Sequence, residues 1–174
     1  MSPDHPNSRN KLPWLTEIAQ LLDQGFTTAY SDGTGRALHA AAASVSKSRR
    51  TTPPTPRHTY LGTMSTVADA ERKGIQLSLE SLSEDHTVLL LSDSQAAIDT
   101  VLNLTKGNPA RSGIERDIKR LLNLRQDRGQ DTGITWVRAH IQIPGNEEAD
   151  ALALWSSYLG QTTGSKRTIT EGGV

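Results

Sequence analysis

The chain contains no cysteine. Disulfides and thiol chemistry are therefore excluded, and the natural setting is a reducing, intracellular one, in the cytoplasm or the nucleus. A long hydrophobic run is also missing. The longest, Ala37 to Ser46, is near ten residues and is interrupted by polar groups. No segment can span a bilayer, and the start of the chain lacks a signal-peptide pattern. Net charge is absent too, with 19 Lys and Arg against 19 Asp and Glu. That balance argues against a dedicated, tightly held nucleic-acid binder, but it conceals patches. Lys47 to His58 carries Lys47, Arg49, Arg50 and Arg57 with no acid. Arg111 to Arg128 carries six basic and three acidic residues. No internal repeat is present, and 174 residues suffice for one domain with a real core.

The polar, Pro-rich stretch Met1 to Asn10 reads as disordered or as a linker. Trp14, Leu15, Ile18, Leu21 and Leu22 recur at helical spacing, with Gly25 as a stop. Phe26 to Ser31 reads as a first strand ending at Asp32 and a Gly-rich turn. Ala37 to Ser46 reads as a second strand, and His58 to Thr63 as a third that closes an antiparallel hairpin. Ser65 to Ser83 is helical, with Ala68, Glu71, Ile75, Leu79 and Leu82 on one stripe. Gly74 in its middle costs roughly 1 kcal/mol relative to Ala unless another backbone packs against it. Thr87 to Leu91 is an apolar run that reads as a central strand buried on both faces. Helices follow at Gln95 to Leu104 and Ser112 to Leu124. A turn over Gly129 to Gly133 leads into a strand over Ile134 to Val137, and a last helix follows. The order β-β-β-α-β-α-α-β-α implies a mixed sheet with helices packed on it.

The stretch Trp136 to Asp150 is the densest in chemistry. After the strand comes His140, then the Pro144-Gly145 break, Asn146 as an N-cap, and Glu147 and Glu148 in the first helical turn, where the dipole favours acids. Asp150 lies beside the apolar stripe of that helix, an expensive place for a carboxylate unless it is paired or holds a metal. Three other acids stand out by context. Asp32 ends the first strand, Asp93 ends the buried fourth, and Glu71 interrupts an apolar helix face. Acids that converge near a core repel and desolvate one another, and divalent cations are the usual remedy. An all-oxygen set suits Mg²⁺ or Mn²⁺. Two such ions would activate a water and stabilise a leaving oxygen in phosphodiester hydrolysis. His140, with a pKa near neutrality, reads as a mobile proton shuttle beside them or else as a loop histidine without a role.

These residues resemble the motifs of type 1 ribonuclease H. Tyr30 to Gly35, Ala68 to Glu71 with Ile75, Leu91 to Ile98, and His140 through Asp150 are similar to its four motifs, in order, over about Phe26 to Leu159. The wording is most similar to the ribonuclease H domains of non-LTR retrotransposons, especially fungal ones, in which the domain follows a reverse transcriptase. The resemblance implies an α/β ribonuclease H-like fold: a five-stranded mixed sheet in the order 3-2-1-4-5 with helices on both faces. It implies a monomeric domain that cleaves the RNA strand of RNA–DNA hybrids with two Mg²⁺ ions, for which Mn²⁺ substitutes, leaving 5′-phosphate ends. Carried over, Asp32, Glu71, Asp93 and Asp150 are catalytic metal ligands and His140 is the shuttle. Gly33, Gly35, Ser94 and Gln95 are substrate contacts, and Asn146 and Glu147 support the loop and metal site. The layout is then a leader and linker helix over 1–25, the domain over 26–159 and a flexible tail over 160–174.

Two departures from the family pattern stand out. Arg72 follows Glu71 where an apolar residue is common, and it is placed either to alter the packing or to salt-bridge the site. Arg138-Ala139 stands where the family has Pro-Gly before the histidine. Arg116, Lys119 and Arg120, or the Lys47 to Arg57 connection, are the candidate grips on hybrid, although a solvated helix face would look the same. The alternative readings are a non-catalytic nucleic-acid-binding domain and a nuclease or transposase acting on DNA, since one fold hosts all three.

Overall fold

The computed structural model describes residues 20, 23–35, 38–47, 55–138, 143–163 and 168–170. Its elements are strands β1 (Thr27–Thr34), β2 (Ala40–Lys47) and β3 (Thr55–Gly62), helix α1 (Val67–Ser81) and strand β4 (Thr87–Ser92). Helices α2 (Gln95–Thr105) and α3 (Gly113–Asp127), strand β5 (Asp131–Trp136), helix α4 (Pro144–Thr163) and a short strand β6 (Thr168–Thr170) follow. The leader helix and the Arg49-Arg50 connection lie outside the described residues, as does His140.

Five strands run in the order 3-2-1-4-5, as the family resemblance implied, and β6 adds to the outer edge of β3. β1 pairs antiparallel with β2 and parallel with β4, so Asp32 and the end of β4 come to one end of the sheet. The alternation along the central strands assigns the two faces. Ala29 and Leu90 point into a core with Ile75, Leu79, Val101 and Ile118 of α1, α2 and α3. Their neighbours Tyr30 and Leu91 point the other way, onto Ile143, just before α4, and Ala149 within it. A strand buried on both faces needs a continuous apolar run, which β4 supplies. The small residues Ala40 to Ala43 of β2, all fully buried, let α1 and α4 approach from opposite sides.

Several boundaries differ from the sequence reading. β1 continues beyond Asp32 through Gly33 and Thr34, because β2 pairs with it as far as Thr34↔Ala41. β5 starts at Asp131, inside the expected Gly129 to Gly133 turn, because pairing with β4 begins at Thr87↔Asp131. Ladder bonds fix the start of that strand, whereas hydrophobicity marks only its buried middle. β2 begins at Ala40 rather than Ala37, following Leu38, which has a φ of 69°. α4 passes through Gly160 because that glycine rests on the Tyr60 ring, where a Cβ would overlap it. The helix runs on to Thr163, and Thr168–Thr170 of the expected tail pair as β6 with Arg57, His58 and Thr59.

Gly74 meets the condition set for it. A Cβ there would lie 3.0 Å from the Asp32 carbonyl oxygen and 3.1 Å from that of Ala43. Helix propensity alone favours Ala by about 1 kcal/mol. The obstacle is backbone, which cannot move aside, so crowding should outweigh propensity. Gly74→Ala is expected to destabilise the protein by about 1–3 kcal/mol, read as a lower urea midpoint at unchanged slope. An unchanged or higher midpoint would mean α1 can lift off β1 at no cost.

Candidate active site

Each acid arrives at the site by a different local mechanism. Asp32 lies within β1, 5% exposed, and accepts a 2.8 Å hydrogen bond from the Gly33 amide. Gly33 has no side chain because the α1 backbone at Ala70 and Glu71 sits directly against it. That close approach carries Glu71, 8% exposed, to the same spot. Thr66 and Asp69 form a reciprocal capping box that starts α1 and fixes its phase. Asp93 follows β4 at a bend tied from both sides. The Trp136 indole donates to the Asp93 carbonyl at 3.2 Å, and the Ser94 amide donates to the Ser92 hydroxyl at 3.1 Å.

Ligand atoms of Asp32, Glu71 and Asp93 all lie within 4.8 Å of one another. Asp150 reaches the same place from α4 on the opposite face: its side chain hydrogen-bonds Asp32, and its charge bears on Glu71. It stands outside the tight group of three. The electrostatic consequence is severe. Burial first, then the charges of Asp93 and Glu71, push the Asp32 carboxyl from 3.8 up to about 9. Burial and the Asp93 charge push Glu71 from 4.5 up to about 8, although hydrogen bonds from Asp32 and Gly33 work against this. One Glu71 oxygen, Oε2, is buried without a hydrogen-bond partner among the described residues. An orphaned carboxylate oxygen among hard oxygen donors fits a divalent cation of the Mg²⁺ or Mn²⁺ kind, which would replace protons as the neutralising charge.

The other expected site residues are distributed unevenly. Gly33 and Gly35 both serve close packing, the latter against the Val67 side chain. Ser94 caps α2 by accepting from the Ala97 amide at 3.2 Å, and Gln95 is exposed and donates to Asp99 at 3.0 Å. Asn146 is not the N-cap. α4 begins at Pro144, a residue preorganised for the first helical position, so Asn146 falls inside the first turn. It is 2% exposed, and its Oδ1 has no hydrogen-bond partner among the described residues. Glu147 is half-buried in the same turn. Arg72 does not bridge the acids at the site. Its guanidinium turns to Asp69 at 3.6 Å, Glu115 at 3.7 Å and the Thr100 hydroxyl at 3.4 Å, joining α1 to α2 and α3.

Sequence reasoning missed the support beneath Asp150. Gly145 lies flat on the buried Tyr30 ring, with no room for a Cβ. Burial and the nearby Glu148 charge push the Tyr30 hydroxyl up to about 12, so it stays protonated. Lys47 ties the start of α4 to β2 through Glu148 at 3.0 Å. Pro-Gly reads as a turn signal, and nothing in the sequence says that its glycine is also a packing surface.

A sequence model of the family described as RNase H matches residues 24–157. No curated protein matches the chain. Among solved structures, the RNase H1 of the halophilic archaeon Halobacterium salinarum is 25% identical, with a TM-score of 0.55, over 76% of this chain and 97% of that one. LC11-RNase H1 in complex with RNA/DNA hybrid is 16% identical, with a TM-score of 0.58, over 78% and 99%. A foamy viral protease-reverse transcriptase, also in complex with RNA/DNA hybrid, is 18% identical with a TM-score of 0.63. That match takes 79% of this chain but only 21% of the viral one.

Proposed function

The chain belongs to the ribonuclease H family, and from that premise we propose that it hydrolyses the RNA strand of RNA–DNA hybrids. The observation that carries this reading is the gathering of Asp32, Glu71 and Asp93 within 4.8 Å in a buried setting that raises two of their pKa values. A fold gains nothing from such repulsion unless a cation is to be held. Asp32, Glu71 and Asp93, with Asp150 completing the set, would hold two divalent ions. When bound, these supply charge neutralisation, an activated water and stabilisation of the leaving oxygen.

The chain's own residues do the rest. Gly33 keeps Asp32 and Glu71 together. The indole of Trp136 holds the turn that presents Asp93. Tyr30, under Gly145, sets the height of α4 and so of Asp150. His140 acts as the proton carrier, and Asn146, whose buried Oδ1 has no partner among the described residues, and Glu147 steady the segment that carries it. Backbone groups at Gly33 and Gly35, with Ser94 and Gln95, meet the substrate groove, where the 2′-OH distinguishes RNA from DNA. Water adds to phosphorus and the bond to the 3′-oxygen breaks, which leaves 3′-hydroxyl and 5′-phosphate ends.

In its natural setting we place the domain behind a reverse transcriptase, in a retrotransposon polyprotein inside the cell. The match to one fifth of a viral polymerase chain supports that arrangement. The test uses end-labelled RNA annealed to DNA, with Mg²⁺ or with EDTA. Cleavage of the hybrid that stops in EDTA, with DNA duplex left intact, is the expected result. Binding of hybrid with no cleavage at any Mg²⁺ or Mn²⁺ concentration would replace this reading with that of a non-catalytic binding domain. Cutting of DNA duplex would replace it with a DNA nuclease.

A further inference from the structure

A sheet has two faces to cover, and this one divides its described helices three to one. Residues of α1, α2 and α3 pack with Ala29 and Leu90 on one face. α4 lies on the other, over β1, β2 and β3. A helix is about 10 Å wide and strands lie about 4.8 Å apart, so α4 cannot also cover β4 and β5. Where those strands end, Val137 and Ile143 gather with Leu91 and close the face. Where they begin, no described helix lies over it. The effect shows along β4. Val88, Leu90 and Leu91 are at most 1% exposed, whereas Leu89, on the open face, is only partly buried. It leans over Gly133 of β5, where a Cβ would lie 3.2 Å from its Cδ1. Thr87, Gly133 and Thr135 are partly buried in the same way. β4 runs parallel to both β1 and β5. Parallel strands are covered on both faces, so this half-face calls for a cover.

The chain carries a segment that fits it. Ahead of β1, Trp14, Leu15, Ile18, Leu21 and Leu22 make one helical stripe with no charge in it. The end of this segment is described. Gln20 and Asp23 are helical, the Gln24 amide donates to the Gln20 carbonyl at 2.9 Å, and Gly25 has a φ of 89°, a left-handed helix stop. Gln20 and Asp23 are exposed, and helical geometry puts both on the side away from the stripe. Only Phe26 then separates Gly25 from β1, and it is partly buried. So short a connection lays a helix against the sheet, antiparallel to the strand it feeds. One face is taken by α1, α2 and α3, and α4 occupies the other above β1 to β3. What remains within reach is the open start of β4, which pairs with β1 from Thr27↔Val88 onward.

We infer that residues 14–22 form a helix that docks on this half-face, with Leu22 toward Phe26, Ile18 over Leu89 and Gly133, and Leu15 toward Thr135. The lengths agree: Leu15 to Leu22 spans about 10 Å of helix, and Asp131 to Thr135 about 13 Å of strand. The segment is then a second helix of the α4 face and not a loose tether. Whatever precedes it in a longer polypeptide leaves the domain from this face in a fixed direction. The docking stands whether or not the protein cleaves hybrid.

The chain has no cysteine, so a pair of cysteines can be introduced without background. The test is cross-linking of the full chain with a short bismaleimide, read as linked peptides by mass spectrometry. Leu15→Cys with Thr135→Cys should link within one chain. Leu15→Cys with Leu124→Cys, exposed on α3 across the sheet, should not, nor should Leu15→Cys with Tyr158→Cys, exposed on α4. Thermal midpoints are the second measurement. Ile18→Asp should lower the midpoint by about 5–10 °C, and Thr16→Asp, on the far side of the same helix, should leave it nearly unchanged. Failure of the Thr135 pair to link, or preferred linking at Leu124 or Tyr158, overturns the placement. Links formed between chains would mean that the face binds a second copy, and they overturn it as well. An Ile18→Asp midpoint equal to that of wild type overturns the docking itself.

Discussion

Asp93→Asn is expected to abolish hybrid cleavage while making the metal-free protein more stable. The first effect follows from removing one ligand charge from the cluster of Asp32, Glu71 and Asp93. Transition-state charge stabilisation by a held cation is worth several kcal/mol, so a loss of about 10³-fold or more is the scale. The second effect follows from what Asp93 does when no ion is present. Its charge is the largest coulombic contribution raising both Asp32 and Glu71. An isosteric amide removes that repulsion and leaves the Asp93 carbonyl free to accept from Trp136. The two effects have opposite signs, which separates this account from simple misfolding, where activity and stability fall together. Cleavage rates and thermal midpoints in EDTA, measured side by side, decide it. An inactive variant that melts lower than wild type would assign Asp93 a structural role, and an active one would remove it from the site.

The central acids were legible because each violates a local rule. A glutamate on the apolar stripe of α1 and carboxylates directly after the strand-like runs Phe26 to Ser31 and Thr87 to Leu91 with its following serine are conflicts that a sequence exposes without coordinates. Gly74 was legible in the same way, as a helix interior glycine in need of a reason. The rest depended on contacts between segments far apart. The extension of β1 past Asp32 follows from pairing with β2, and the start of β5 from pairing with β4. The Asn146 cap failed because Pro144 can itself occupy the first helical position, so a good cap residue was available but not used. Gly145 and Gly160 look alike in sequence, as breakers, yet both lie inside α4 against a tyrosine ring, Tyr30 for one and Tyr60 for the other. Arg72 looked threatening because it adjoins Glu71, but neighbours in a helix point about 100° apart, and that rotation sends it to Glu115 instead.

Metal-free wild type should lose stability steadily as pH rises from about 4 to 9, and Mg²⁺ should restore most of it at the alkaline end. The sign follows from the proton inventory. Unfolded, Asp32 and Glu71 titrate near 3.8 and 4.5; folded, near 9 and 8. Between those limits the native state binds more protons than the unfolded one. Stability therefore falls with rising pH and is fully present only below the unfolded values. Ionised carboxylates are what a cation binds, so protons and Mg²⁺ compete for one site, and the rise in Tm on adding Mg²⁺ should grow with pH. A net change of about 2 kcal/mol between pH 5 and 8 would move the midpoint by roughly 4–8 °C. Other groups also titrate in this range, so the informative quantity is the difference from Asp93→Asn, whose dependence should be shallower in EDTA and less responsive to Mg²⁺. Parallel curves for the two proteins would mean that the carboxylates are already relieved without an ion, and the argument that burial and repulsion prepare this site for a cation would fail with them.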